Sequence, residues 1–221
     1  MNLHIITGLG PGHELLVEEC QASVRKAIKR PGRFTKIEHV IVDDTNGVLG
    51  CAGAKNVGMD RSGADWFFFL DADDKIEPDA FESNNFDDVA TFGAVKLLGR
   101  WEAWKDVYPC GWREIAINGA GGTLIMGFFC RADVANILRF DEADDVTDDF
   151  EFFLRLPSFT KIDRPLCTKR TETSAGGPRR VGHATVDWTG RCNEMIRRAV
   201  KRSPGKFGVE PDLVLSNVAP H

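Results

Sequence analysis

The most constraining feature of this chain is the segment from Trp66 to Pro78, WFFFLDADDKIEP, in which an apolar run leads directly into acidic residues. Five consecutive large apolar residues without alternation predict a central strand that is buried on both faces, as in an α/β sheet. Such sheets bind their ligands at the carboxyl ends of the strands. We therefore expect Asp71, Asp73 and Asp74 at a ligand-binding edge of the sheet.

Clustered carboxylates also indicate what that ligand is. Neighbouring negative charges repel one another unless a cation offsets them. Hard divalent ions such as Mg2+ and Mn2+ prefer oxygen ligands, so the segment predicts a site for one of these ions. A solvated acidic turn is the alternative interpretation.

Other segments repeat the pattern of an apolar stretch beside polar residues. Residues 38–44, EHVIVDD, predict a second short strand that ends in Asp43 and Asp44. Lys55 and Asn56 fall on a predicted short helix between the two strands. Residues 140–156, FDEADDVTDDFEFFLRL, place an acid pair before another apolar stretch. A first strand at residues 3–7 precedes the glycine-rich loop GLGPG.

In this order the segments resemble the inverting sugar-nucleotide transferases of glycosyltransferase family 2. Members of that family carry a VDD strand end, an A-[RK]-N helix, an LDADD metal motif and an FDE…ED segment followed by R-L. The resemblance spans about residues 3–156 and implies the GT-A fold, an α/β, Rossmann-like mixed sheet flanked by helices, here with a short basic C-terminal extension. The chain resembles a shortened member, because its VDD segment runs almost directly into the A-K-N helix. It also has Thr171 where the family usually has a metal-binding histidine.

The resemblance implies roles for individual residues. Asp149 is the expected general base, and the expected metal ligands are Asp73, Asp71 and, in place of the missing histidine, His183. The expected donor-binding residues are Thr7, Asp43, Asp44, Lys55, Asn56, Asp71 and Arg170. The expected acceptor-side residues are Gly121, Gly122, Trp101, Trp104 and Asp148. The alternatives are helix capping for the two acids at 148 and 149, core packing for the tryptophans, and a structural role for His183.

Length and charge suggest one catalytic core at residues 1–159, with residues 160–221 as a basic extension that completes the active site. This extension has twelve Lys and Arg residues against six acids, although the whole chain has a net charge of −5. Such a basic end suggests an anionic partner, and a solvated helix face across residues 192–202 is the alternative. The chain shows neither a signal peptide nor a membrane-spanning apolar run, so we expect a cytoplasmic location.

The leading hypothesis is an inverting, metal-dependent glycosyltransferase. It would move a sugar from a nucleotide diphosphate donor, such as a UDP-sugar, to a hydroxyl of a glycan, a lipid-linked acceptor or a protein. One alternative is the same chemistry on a nucleic acid, such as a hydroxylated base in DNA. The others are a metal-dependent nucleotidyltransferase and a nucleotide-sugar-binding protein that has lost catalysis.

Overall fold

The computed structural model describes residues 1–61, 63–82, 88–97, 100–102, 111–119, 127–143, 147–169 and 187–215. The chain forms two compact units, one from Met1–Ala103 with Ile125–Arg179 and the other from Trp104–Leu124 with Arg180–His221. The strands of the first unit are β1 Asn2–Leu9, β2 Lys36–Asp43, β3 Trp66–Phe69, β4 Lys75–Ile76, β5 Ala90–Leu97, β6 Arg100–Glu102, β7 Phe128–Arg131 and β8 Thr160–Lys169.

These strands form one mixed sheet. Its order is β2-β1-β3-β7-β5-β8-β4, and β6 pairs with β5 outside this path. β1 is parallel to β2 and β3, whereas β7 is antiparallel to both β3 and β5. β8 runs parallel to β5 and antiparallel to β4. The predicted mixed α/β sheet is therefore confirmed.

β3 lies in the interior of the sheet, as its unbroken apolar sequence predicts. Phe67 and Phe68 have no exposed surface, and Phe69 is almost fully buried. The Phe69 ring packs 4.9 Å from that of Phe140 and 5.1 Å from that of Phe128, measured between centroids. This aromatic core fixes the carboxyl end of β3, from which the acidic segment emerges.

Helix α2, Gly50–Asp60, follows β2 after a short loop, so the predicted shortened connection is confirmed. Small residues let this helix approach β1 closely. A Cβ at Gly8 would lie 2.9 Å from the Cβ of Ala54, and one at Gly58 would lie 2.5 Å from Ile6 Cγ2. The other described helices of this unit are α1 Val17–Ala27, α4 Ala132–Leu138 and α5 Asp148–Arg155; α3, Trp112–Asn118, belongs to the second unit.

The residues from Pro78 onward suggest the start of a short helix in the sequence, but the described residues 78–82 form no helix. The segment forms turns, in which Ala80 N donates to Glu77 O at 3.1 Å and Glu82 N to Asp79 O at 3.0 Å. Pro78 has no N–H to donate, and Arg164 Nη2 bonds the carbonyl of Asp79 at 2.5 Å, which supports a turn.

The second unit consists of α3 Trp112–Asn118, α6 Trp188–Arg202, α7 Pro204–Phe207 and a 3-10 helix at Pro211–Leu213. Lys206 Nζ lies 4.0 Å from the ring centroid of Trp112, and Leu215 N donates to Ala116 O at 2.6 Å. The boundary predicted after residue 159 coincides with the start of β8, a strand of the main sheet. None of the helices described here is long and apolar enough to cross a bilayer.

Candidate active site

The acidic segment after β3 brings three carboxylates together. Asp71, Asp73 and Asp74 each contribute one oxygen to a group within 4.8 Å. Burial, followed by the neighbouring charge of Asp71, raises the pKa of Asp73, while His13 and Lys169 lower it. A hard divalent cation would relieve this repulsion, and three carboxylate oxygens are the donors such an ion prefers. The donor set therefore fits Mg2+ or Mn2+.

A second polar cluster joins α2 to α5. Lys55 Nζ lies 3.1 Å from Asp148 Oδ2 and also donates to Asp149 Oδ1. The side chains of Lys55 and Asp148 are only 4% and 7% exposed, whereas that of Asp149 is 26% exposed. Asp149 is therefore the member of this cluster that an incoming molecule can reach most readily.

The charges in this cluster depend on one another. Burial raises the pKa of Asp149 to about 7; Lys55 opposes this rise, and Asp148 and Asp71 add to it. Burial disfavours the charge on Lys55, yet the two carboxylates outweigh it and hold the pKa of Lys55 well above its usual range. The Phe140 ring lies 4.9 Å from Lys55 Nζ and 4.9 Å from the Phe69 ring at the end of β3, so the acidic segment and the Lys55 cluster lie at one polar edge of the sheet.

The acid pair at the end of β2 divides into two different environments. Asp44 is buried, and its two carboxylate oxygens accept from Leu49 N and Gly50 N, each at 2.9 Å. It therefore caps the start of α2. Asp43 is exposed and accepts from the backbone and hydroxyl of Thr45 at 3.0 and 2.8 Å. Of the two, Asp43 has the carboxylate open to a ligand.

Asn56 holds the segment that precedes α5. Its Nδ2 donates to Phe140 O at 3.0 Å and to Glu142 Oε1 at 2.8 Å, and its Oδ1 accepts from Phe140 N at 2.9 Å. Arg139 adds a bidentate pair with Asp60, at 2.7 and 2.9 Å. The A-K-N helix and the FDE segment are thus fastened to each other.

Thr7 and two further residues complete the comparison with the sequence. Thr7 is fully buried in β1, where its hydroxyl lies 3.0 Å from His39 Nε2. His13 and Lys169, whose charges act on Asp73, are not among the residues expected from the sequence. His13 lies before α1, which begins at Val17. Five expected site residues lie outside the described residues: Trp104, Gly121, Gly122, Arg170 and His183. Trp101 lies in β6, but its side chain is outside the described part of the structure.

Part of this polar edge is similar to a known protein family. Residues 18–83, which include β2, α2 and the acidic segment, match the family model of glycosyl transferase family 2. Within this segment the chain is similar to glycosyltransferase family 2. No curated protein matches the sequence.

Several solved structures are similar to this chain over most of its length. S. aureus TarS 1-349 in complex with UDP-GlcNAc has a TM-score of 0.64 and 16% identity, covering 90% of this chain and 66% of TarS 1-349. Mannosyl-3-phosphoglycerate synthase from Rubrobacter xylanophilus has a TM-score of 0.55 and 10% identity, covering 93% of this chain and 76% of its own.

Glucosyl-3-phosphoglycerate synthase from Mycobacterium tuberculosis, in complex with Mn2+, UDP-glucose and phosphoglyceric acid, has a TM-score of 0.50 and 10% identity. The match covers 95% of this chain and 80% of that one. The chain spans slightly less than two thirds of the length of TarS 1-349. At these identities the similarity establishes the fold, which is GT-A as predicted.

Proposed function

We propose that this protein is an inverting, metal-dependent glycosyltransferase of family 2 that uses a UDP-sugar. The observation that carries the proposal is the placement of Asp149. A partly exposed carboxylate with a pKa raised to about 7 lies close enough to Asp71 to respond to its charge. A candidate base and a candidate metal site therefore share one edge of the sheet. The UDP-GlcNAc and UDP-glucose complexes of the structurally similar proteins support this donor class.

In the metal half of the site, Asp73 would bind the ion directly and Asp71 would assist in holding it. The Mn2+ in the M. tuberculosis structure supports a divalent ion of this kind. When bound, such an ion acts as a Lewis acid that offsets the charge of the departing diphosphate. Lys169 at the end of β8 and His13 would add positive charge on the diphosphate side, since both already act on Asp73. Through Lys169 the extension after residue 159 contributes to the site.

The base half would consist of Asp149. An acceptor hydroxyl becomes a competent nucleophile when a positioned carboxylate takes its proton as it attacks the anomeric carbon. A base whose pKa is near 7 is ionised in a large fraction of molecules at neutral pH and still binds the proton firmly. Attack from the side opposite the leaving diphosphate inverts the anomeric configuration.

The remaining site residues have more limited roles in this proposal. Asp43 would contact the nucleoside, whereas Asp44, Asn56 and Thr7 would hold the elements that form the donor side. Arg170 and His183 remain proposed for the diphosphate and the metal. The proposed acceptor-side residues are Gly121, Gly122, Trp101 and Trp104, and the buried Asp148 would support that side through its pairing with Lys55. The acceptor would be a glycan, a lipid-linked glycan or a protein, and no observation on the described residues favours nucleic acid or nucleotidyl transfer.

Product analysis tests the proposal. The protein is incubated with a panel of UDP-sugars and Mn2+, and the products are separated by chromatography. Release of UDP together with free or transferred sugar supports a glycosyltransferase. Release of pyrophosphate would identify a nucleotidyltransferase, and absence of turnover with every UDP-sugar and with GDP- and dTDP-sugars would leave a binding protein.

A further inference from the structure

We propose that Lys55 is a positioning residue, which holds the Asp149 carboxylate in place and offsets the charge of Asp148, and that it does not bind the diphosphate of the donor. The inference deepens the proposed function, because it rests on Asp149 as the base. It also revises the role expected for Lys55 from the family resemblance.

Lys55 has little exposed surface left for a ligand. Its side chain is 4% exposed, and its ammonium group donates to carboxylates of both Asp148 and Asp149. The Phe140 ring centroid lies 4.9 Å from the same nitrogen. A diphosphate would have to displace two carboxylates from a buried ammonium, which leaves two buried negative charges without their partner.

Hydrogen bonds hold the backbone around Lys55 at several points. Asp44 accepts two N–H groups at the start of α2, and Asn56, the next residue after Lys55, is bonded to Phe140 at 2.9 and 3.0 Å. A long side chain with a flexible stem becomes a precise support only when its backbone and its partners are both fixed. Those bonds give Lys55 that backbone.

Asp148 and Asp149 differ in how far their side chains are exposed. Asp148 is 7% exposed and Asp149 is 26% exposed, so only the second is open to an acceptor hydroxyl. Among the described residues, the charged and titratable groups that act on Asp149 or respond to its charge are Lys55, Asp148, Asp71 and the thiol of Cys51. Lys55 is the one cation among them. Without it, Asp148 and Asp149 would be neighbouring buried carboxylates, and such pairs retain a shared proton.

The size of the effect follows from the loss of one opposite charge. A cation within 4–6 Å of a carboxyl lowers its pKa by about one to three units, so removal of Lys55 should raise that of Asp149 by a similar amount. From a starting pKa of about 7, the ionised fraction of Asp149 at pH 7 would fall about 5-fold for a rise of one unit and about 50-fold for a rise of two units. Turnover at neutral pH should fall in proportion and recover as the pH rises.

A carbon-13 NMR titration of protein labelled at its aspartate carboxyl carbons tests the inference without an activity measurement. The Asp149 resonance is assigned by its loss in Asp149→Asn. We expect the midpoint to rise by about one to three pH units in Lys55→Met and to stay within about half a unit in Lys55→Arg. Lys75→Met, which removes an exposed lysine paired with Glu19, is the matched control and should leave the midpoint unchanged. If Lys55→Met does not fold, Lys55→Gln replaces it.

Kinetics and donor binding complete the test. In Lys55→Met the acidic limb of the kcat profile should move to higher pH with the NMR midpoint, while the Kd for UDP with Mn2+ stays within about twofold. An unmoved midpoint would overturn the inference, and a Kd raised 10-fold or more would assign Lys55 to the diphosphate. If Asp149→Asn keeps its turnover, the base role fails, and the NMR midpoint still decides whether Lys55 controls Asp149.

Discussion

Replacement of Asp44 by alanine should destabilise the protein far more than the same replacement at its neighbour Asp43. Both oxygens of the buried Asp44 carboxylate accept backbone N–H groups, from Leu49 and Gly50 at 2.9 Å each. Asp43 is exposed, and its bonds go to Thr45 two residues away. The two acids are adjacent and chemically identical, so each is the natural control for the other.

The magnitude follows from the bonds that Asp44 loses. A hydrogen bond to a charged group contributes about 1.5 kcal/mol at the low end of its range, so two contribute about 3 kcal/mol. The start of a helix also favours a negative charge, which adds to this value. Asp44→Ala should therefore lower the free energy of unfolding by about 3 kcal/mol, and Asp43→Ala by less than about 1 kcal/mol.

Urea unfolding followed by far-ultraviolet circular dichroism measures both values. With a slope of about 2 kcal/mol per molar urea, Asp44→Ala should move the midpoint down by about 1.5 M. Asp44→Asn keeps one acceptor oxygen and should fall between the two alanine variants. A midpoint for Asp44→Ala within 0.5 M of that for Asp43→Ala, with unchanged slopes, would refute the capping role.

Three further predictions concern other parts of the first unit. Burial lowers the pKa of His39 from 6.5 to about 4, so the unfolded state binds a proton on His39 before the folded state does. The free energy of unfolding should therefore fall by up to about 3 kcal/mol as the pH drops from about 6.5 to about 4. In urea unfolding at these two pH values His39→Gln should lose less stability than the wild type, and an equal loss would contradict the assignment. A Cβ at Gly58 would lie 2.5 Å from Ile6 Cγ2, so Gly58→Ala should lower the thermal midpoint in calorimetry. A Cβ at Gly205 would have no neighbouring atom within 4 Å, so Gly205→Ala is the control and should not lower it. Equal midpoints for the two variants would contradict the close packing at Gly58. Asp73→Ala should abolish the Mn2+-dependent part of UDP binding in titration calorimetry and leave the circular dichroism spectrum unchanged, and undiminished metal-dependent affinity would remove Asp73 from the site.

The sheet and the position of its acidic edge are predictable because local patterns determine them. An unbroken apolar run such as residues 66–70 suits a buried central strand, and β3 occupies that place. The A-K-N residues fall on a helix, α2, for the same local reason. The polar residues that follow a strand then lie at its carboxyl end.

Roles that depend on the third dimension are not visible in the pattern. Asp43 and Asp44 look equivalent in VDD, yet one is exposed and the other caps a helix. Lys55 looks like a phosphate ligand until α5 places two carboxylates beside it, from residues more than ninety positions away along the chain. Lys169 reaches the acidic edge only because β8 returns to the sheet beside β4. Such contacts depend on topology and not on spacing.

The central claim is that Asp149 is the base of a glycosyl transfer, and the turnover of Asp149→Asn tests it most directly. Asparagine keeps the size of the side chain but cannot accept a proton at neutral pH. General-base catalysis contributes about 10²–10⁴-fold, so UDP release from the donor that the wild type uses should fall by that factor. The Kd for UDP with Mn2+ should stay within about twofold of the wild-type value. Turnover of Asp149→Asn within threefold of wild type, at unchanged donor affinity, would contradict the account.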